Sequence, residues 1–246
     1  MGKNLLALLS LIMLCVGLAF PSAVAAGQKI PEKLVYSLSW TGITVGTASQ
    51  EIVDEGENRR IISSARSNDW LSKFFPVDDR TESVLLKKEP FPGEPRTYRM
   101  LFKEGTRVRD REISFNIAGR VANYHDRIKG ERAIVPIGPE TFDIYSSFYY
   151  VRHQPLVPGK SFYINVLDSK KLHRIEVRVL KRERISVPAG VFDTVKVEPM
   201  VKPVGVFEGK RGAYIWLSDD DRRIPVKAQT KVTVGSVTAV LTGGNY

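Results

Sequence analysis

The chain has 246 residues, 43% of them hydrophobic, a formal net charge of +10 and one cysteine. That length and apolar content suffice for one large core, and a lone cysteine excludes a disulfide framework and a thiolate metal cage. The basic balance favours anionic partners such as phospholipid headgroups, lipopolysaccharide phosphates or acidic glycans.

Residues 1–26 predict an export leader. Lys3 gives a basic start, residues 5–20 form an almost unbroken apolar run, and Pro21-Ser22 breaks it. Ala23-Val24-Ala25 then supplies small residues for cleavage near Ala25 or Ala26. The apolar run is shorter than the roughly 20 residues that span a bilayer. Cys15 lies in mid-run behind the bulky Leu14, so it does not fit a lipidation site. Lys3 is the only charge of the leader, and the remaining domain, residues 27–246, keeps nine of the ten net positive charges. Export argues against nucleic acid as the partner, and no later apolar run is long enough to anchor the cleaved chain in a membrane.

The rest is dominated by a period of two. Leu34, Tyr36, Leu38 and Trp40 alternate with Val35, Ser37, Ser39 and Thr41, the pattern of a strand with one buried face. Similar runs follow at 43–52, 59–66, 81–87, 96–103, 107–115 and 120–126. After an interruption they resume at 161–167, 172–180, 183–187, 191–199, 212–217, 224–231 and 232–241. Turn chemistry separates them, as in Glu55-Gly56-Glu57-Asn58, Lys103-Glu104-Gly105, Pro188-Ala189-Gly190 and Asp219-Asp220-Asp221. Many short strands at near-regular spacing predict an antiparallel sandwich or barrel.

Two segments break the rhythm. Residues 68–75 read as one or two helical turns, capped by Asn68 or Asp69 and stopped by Pro76. Residues 141–154 predict the one real helix, with Thr141 as cap and an aromatic stripe of Phe142, Tyr145, Phe148 and Tyr149.

Catalytic parts are scarce. His125, His153 and His173 lack metal-ligand spacing, and no nucleophile elbow, phosphate loop or dinucleotide fingerprint occurs, so no metal and no cofactor is expected. Asp78 and Asp79 point to opposite faces if they lie in a strand, which weakens them as an acid–base pair. With Arg80 they read as an ion-paired strand start fixing a buried Phe74-Phe75-Pro76 corner. The basic residues are better ordered: Arg107, Arg109 and Arg111 share one strand face, and Arg174 and Arg178 share another. Such a stripe suits phosphate or carboxylate recognition or blocks edge-to-edge pairing.

Several segments together resemble a known family. They are Ser39-Trp40-Thr41-Gly42-Ile43 with Val45-Gly46, Trp70-Leu71-Ser72-Lys73-Phe74-Phe75-Pro76-Val77-Asp78-Asp79-Arg80, Asp143-Ile144-Tyr145-Ser146-Ser147-Phe148-Tyr149, Val187-Pro188-Ala189-Gly190-Val191-Phe192 and Trp216-Leu217-Ser218-Asp219-Asp220. They resemble the bacterial family catalogued as domain of unknown function 3108. The resemblance implies an exported, β-rich, periplasmic envelope protein of Gram-negative bacteria and no particular reaction.

The combined reading is a mainly β domain: an antiparallel closed or partly open barrel with one covering helix and a short helical turn. The leading function is non-catalytic binding of an amphiphilic or lipid-like ligand. Trp40, Tyr145, Tyr149 and Trp216 would line an apolar cavity, and Arg107, Arg109 and Arg111 would meet the anionic head. The alternative is a filled barrel that docks on an envelope protein or glycan. A third reading is a hydrolase using Asp78, Asp79 or Asp143.

Overall fold

The computed structural model describes residues 29–200, 212–232 and 234–246. The leader expected at residues 1–26 lies outside the described residues. The first half of the chain runs back and forth through β1 (Glu32–Trp40), β2 (Ile43–Glu55), β3 (Asn58–Ser67), the short α1 (Asp69–Ser72), β4 (Asp78–Leu86), β5 (Glu94–Glu104), β6 (Arg107–Asn116), β7 (Val121–Asp126) and β8 (Glu131–Pro136). A two-residue β9 (Thr141–Phe142) and the helix α2 (Ile144–Arg152) follow. The second half repeats the motion through β10 (Ser161–Asp168), β11 (Lys171–Val187), β12 (Gly190–Pro199), β13 (Ala213–Ser218), β14 (Pro225–Lys231) and β15 (Ser236–Asn245).

All fifteen strands belong to one sheet, in the order β8-β7-β6-β5-β4-β3-β2-β1-β15-β14-β13-β12-β11-β10-β9. The two meanders join in the middle, where β1 pairs antiparallel with β15 from Lys33↔Asn245 to Trp40↔Val237. The sheet is antiparallel apart from the β9–β10 pair. Its two edges, β8 and β9, are consecutive in the chain, joined by residues 137–140. A link that short spans at most about 18 Å, so the sheet must curl until its edges approach.

Side chains cross the remaining gap. Leu167 of β10 packs in one cluster with Tyr98, Ile113, Tyr124 and Val135 of β5 to β8. Lys170 pairs with Glu131, and Arg111 donates to the Ser169 hydroxyl at 3.3 Å. Backbone pairing does not close the ring, so a closed barrel is not what forms. A two-residue β9 offers little backbone to pair, and β8 begins with Glu131-Arg132 and ends in Pro136, features that blunt an edge.

The inner face collects the alternate apolar residues read from the sequence, including Leu34, Ile52, Ile61, Leu85, Val177, Val195 and Leu241. The helix packs against them near the end of the sheet where β2 turns into β3, β4 into β5 and β13 into β14. Tyr149 is fully buried and packs against Ile52, Ile61 and Leu85, while Val151 joins Val177, Val195 and Leu217. It starts later than expected, because residues 141–142 pair as β9 and Asp143 takes the cap. The Asp143 carboxylate accepts from the Tyr145 and Ser146 amides, and its own amide donates to the Ser146 hydroxyl. Ser83 of β4 donates to the same carboxylate at 2.6 Å, so the cap also ties the helix to the sheet.

At its other end α2 delivers Arg152 into the core with a side-chain exposure of 0%. Its guanidinium donates two parallel bonds to Glu32 of β1, at 2.8 and 2.7 Å. It also donates to the carbonyls of Arg223 and Arg222 at 3.0 and 2.9 Å. The Tyr149 hydroxyl completes the group by donating to Glu32 at 3.2 Å.

One expected break was absent. The runs at 172–180 and 183–187 are a single strand, β11, in which a bulge between Val179 and Lys181 shifts the alternation by one residue. Among the described residues no helix is long and apolar enough to cross a membrane.

The Glu32–Arg152 pair generates a prediction. Arg152→Met should destabilise the protein by about 3–5 kcal/mol, because Glu32 keeps a buried and unpaired charge. The double variant Glu32→Leu/Arg152→Met should lose less than the single one. Urea denaturation of both measures the difference, and equal losses would contradict the ion pair as the source.

Candidate functional site

The outer face of β1 to β5 is indented at one end by a groove of about 360 Å³, lined by Val35, Thr47, Ser49, Ser64, Arg66, Asp78, Asp79, Arg80 and Leu101 among others. The period of two explains its composition. Where Leu34, Ile52 and Ile61 point inward, their neighbours point out, and the registers Ser49↔Ser64, Arg66↔Asp78 and Ser64↔Arg80 bring hydroxyls and charges side by side. The Ser49 and Ser64 hydroxyls lie 2.9 Å apart. Gly46 keeps the strands close here, since a methyl group on it would fall 2.1 Å from the Arg66 carbonyl oxygen.

The charges of the groove are only loosely engaged. Arg66 meets Asp78 at 3.1 Å and Arg80 meets Glu82 at 3.7 Å, and both arginine side chains are more than half exposed, 74% and 56%. Such exposed pairs contribute about 0–1 kcal/mol, so both guanidiniums can exchange their partners for a ligand. Asp79 points the other way, toward β5. It accepts from the Lys103 amide at 3.0 Å, and partial burial, with Glu104 nearby, pushes its carboxyl up to about 6.

The segment between β3 and β4 borders the groove. Asn68 caps α1 through the Leu71 amide and donates to the Thr44 carbonyl, to which the Trp70 indole also donates at 3.1 Å. The Val77 amide donates to the Ser67 hydroxyl, and the Gly105 amide to the Pro76 carbonyl. This framework differs from the buried corner expected from the sequence. Phe74 is 81% exposed and Phe75 49%. Arg80 is no buried charge partner, because its strand position turns it to solvent.

The remaining candidates do not converge. Tyr149 is core, Tyr145 packs near Tyr98 with ring centres 6.4 Å apart, and Trp40 stands exposed at one end of β1. Trp216 lies on the outer face, its indole donating to Glu183 and its ring covered by the ammonium groups of Lys196 and Lys227. Arg107, Arg109 and Arg111 do share a face, but it is the inner one, on the side of Ile113 and Phe115. There Arg111 pairs with the buried Asp126 and Arg109 with Glu104, which leaves Arg107 alone of the three outside an ion pair among the described residues. Asp143 serves as the helix cap, with burial holding its carboxyl above the usual range. Asp219 and Asp220 close a turn by pairing with Arg223 and Arg222. No cluster of metal-ligating side chains occurs among the described residues. The groove residues Thr47, Ser49, Ser64 and Arg66 escaped the sequence reading, although their shared outward alternation beside Asp78 and Arg80 was there to be found.

Comparison with known proteins places this geometry. The family described as "Protein of unknown function (DUF3108)" matches residues 35–242. No curated protein matches the sequence. Among solved structures, the chain is similar to a β-barrel-like protein of domain of unknown function DUF1849 from Brucella abortus, with a TM-score of 0.59 and 10% identity, covering 89% of this chain and 98% of that one. A Bacteroides fragilis protein with a YmcC-like fold aligns with a TM-score of 0.35 and 10% identity over 89% of this chain and 97% of that one. The first of these likenesses supports the curled β architecture.

Asp79 gives a pH prediction. Its carboxyl rises to about 6 on folding, so the folded state favours the proton. Its stabilising contribution is present below the unfolded value near 3.8 and is lost as pH rises through 6. Asp79→Asn should therefore melt higher than the wild type at pH 7.5, with the gain shrinking toward zero at pH 4. An equal gain at both pH values would contradict it.

Proposed function

The chain belongs to the DUF3108 family of proteins of unknown function, and we propose that it is a non-catalytic, exported envelope protein that binds an anionic amphiphile at its outer surface. The observation that carries this reading is the junction of the hydroxyl-lined groove, with Arg66 and Arg80 at its sides, and the exposed Phe74-Phe75 segment next to it. The groove suits a phosphate-bearing or polyhydroxylated head. Guanidinium forks match phosphate oxygens, and Thr47, Ser49 and Ser64 offer hydroxyl donors and acceptors. The apolar part of the ligand then lies against the aromatic segment.

The acyl portion is assigned to the outside because α2 packs into the interior near one end, where Tyr149, Val151 and Arg152 take up space that an internal ligand would need. Export and a periplasmic location rest on the leader read at residues 1–26 and on the family resemblance. The absence of a reaction is supported by the dispersal of Asp78, Asp79 and Asp143 over an outer face, an inner face and a helix cap. The packing of α2 side chains inside the sheet also supports the alternative of a protein- or glycan-interaction module.

Lysophosphatidylglycerols of increasing chain length, titrated as monomers with glycerol phosphate as the head alone, test the reading. Affinity should contain an apolar part of up to about 0.8 kcal/mol for each methylene that becomes buried. It should also contain a part that weakens as salt shortens the Debye length from about 10 Å at 0.1 M to about 3 Å at 1 M. Arg66→Gln/Arg80→Gln should weaken binding at least ten-fold, about 1.4 kcal/mol, and flatten the salt dependence. No binding across the series, or binding unchanged in the variant, would favour the interaction module instead.

A further inference from the structure

One end of the curled sheet differs from the other. The turns β14–β15, β1–β2 and β3–β4 lie next to each other there and carry Val234, Trp40, Ile43, Trp70, Phe74 and Phe75. Their exposures are 68, 42, 59, 43, 81 and 49%. The six are linked into one rim. The Trp40 indole donates to the Val234 carbonyl at 2.8 Å, Ile43 pairs with Trp40 across the hairpin, the Trp70 indole donates to Thr44, and the Phe75 ring lies against Gly105 in the β5–β6 turn. Exposed apolar surface of this extent marks an interaction site. The turns at the other end of the same strands, Glu55-Gly56-Glu57 and Asp219-Asp220-Asp221, present no large exposed hydrophobic residue.

We propose that this rim seats the protein on an anionic lipid surface, with the loop tips entering the interfacial layer. Two observations select a bilayer over a protein partner. The first is charge. Lys73, Lys103, Arg107 and Lys231 are exposed in these turns and the neighbouring β5–β6 turn and form no ion pair among the described residues, against one exposed unpaired acid, Asp69. At the opposite end Arg59 pairs with Asp54, Arg222 with Asp220 and Arg223 with Asp219, while Arg120 and Lys29 form no ion pair among the described residues. Unmatched bases beside aromatic tips are the composition of a surface that meets anionic headgroups.

The second observation is the disposal of polar groups. A segment entering an apolar layer must satisfy its own donors. Both rim indoles already donate to backbone carbonyls, and the amides of Thr41, Asn68, Ser72, Phe74, Phe75 and Gly105 all donate within the rim or to the strand beside it. The two indoles and these six amides can therefore leave water with their hydrogen bonds made. Aromatic rings with an apolar body and a satisfied polar atom are the side chains that gather at membrane interfaces.

The inference goes beyond groove binding, and the two fail separately. The full chain is sedimented with mixed phosphatidylcholine–phosphatidylglycerol vesicles and with phosphatidylcholine vesicles. Binding to the mixed vesicles, weakened by salt and at least ten-fold weaker on the neutral ones, is expected. Nitroxide groups placed shallowly in the lipid should quench Trp40 and Trp70 and spare Trp216, read from single-tryptophan variants.

Ile43→Ser/Phe74→Ser changes two exposed side chains, so its melting temperature should match the wild type while its partitioning falls at least ten-fold. Failure of the wild type to sediment with anionic vesicles overturns the proposal, as does a normally folded variant that binds like the wild type or quenching confined to Trp216. Vesicle binding by a wild type that binds no monomer, or whose monomer binding is unchanged in Arg66→Gln/Arg80→Gln, overturns only the groove assignment.

Discussion

The architecture depends on one guanidinium. Arg152 reaches from the end of α2 to Glu32 at the start of β1 and to the carbonyls of residues 222 and 223 between β13 and β14. These belong to the helix and to both meanders, so one side chain ties the three parts of the chain together at one end of the sheet. A charge so deeply buried is tolerable only because every direction of the guanidinium fork finds an acceptor and the carboxylate finds both the fork and the Tyr149 hydroxyl. A hydrophobic replacement could fill the same volume. It would not fix the rotation of α2, which decides that Tyr149 enters the Ile52–Ile61–Leu85 cluster and that Val151 enters the Val177–Val195 cluster.

From that placement follows where ligand chemistry can sit. A sheet of fifteen strands curled around an empty centre would resemble a small-molecule container. Here one end of the interior holds a helix whose aromatic and aliphatic side chains belong to the core. A polar concavity lies on the outer surface, where outward positions of β2, β3 and β4 assemble hydroxyls, two arginines and an aspartate. The family segment from Trp70 to Arg80 serves this outer surface at both ends, with aromatic side chains on the rim and charges in the groove.

Alternation made most of the sheet legible in the sequence, because each strand buries one face and turn residues mark the ends. It failed where that condition lapses. β8 begins with Glu131-Arg132 and exposes Ile134, so its pattern does not separate inside from outside, and β9 is too short to show a period. In Ala213-Tyr214-Ile215-Trp216-Leu217 both faces are apolar, and nothing in the residues says that Trp216 points outward under a cover of lysines. The common face of Arg107, Arg109 and Arg111 was readable; that it is the inner face was not, because the strand runs past the core to the open end, where charged side chains reach water. The helix was found by its aromatic spacing, but its position inside the sheet depends on the Arg152 contacts, which join residues more than a hundred positions apart. The groove was missed because it is built from ordinary serines and threonines that gain meaning only by register.

The pairing of β1 with β15 in the middle of the sheet has a kinetic consequence. Each meander is made of neighbours in sequence and can assemble locally, but the seam between them joins Lys33 to Asn245. A chain that emerges from its N-terminus makes the first partner of that seam early and the second last. Until then β1 has one side paired with β2 and the other open, a bare edge of the kind that recruits stray strands. Contacts this distant in sequence also slow folding, since loop closure precedes any gain from pairing. The half-made molecule therefore carries an open strand edge until the last strand of the chain arrives to cover it.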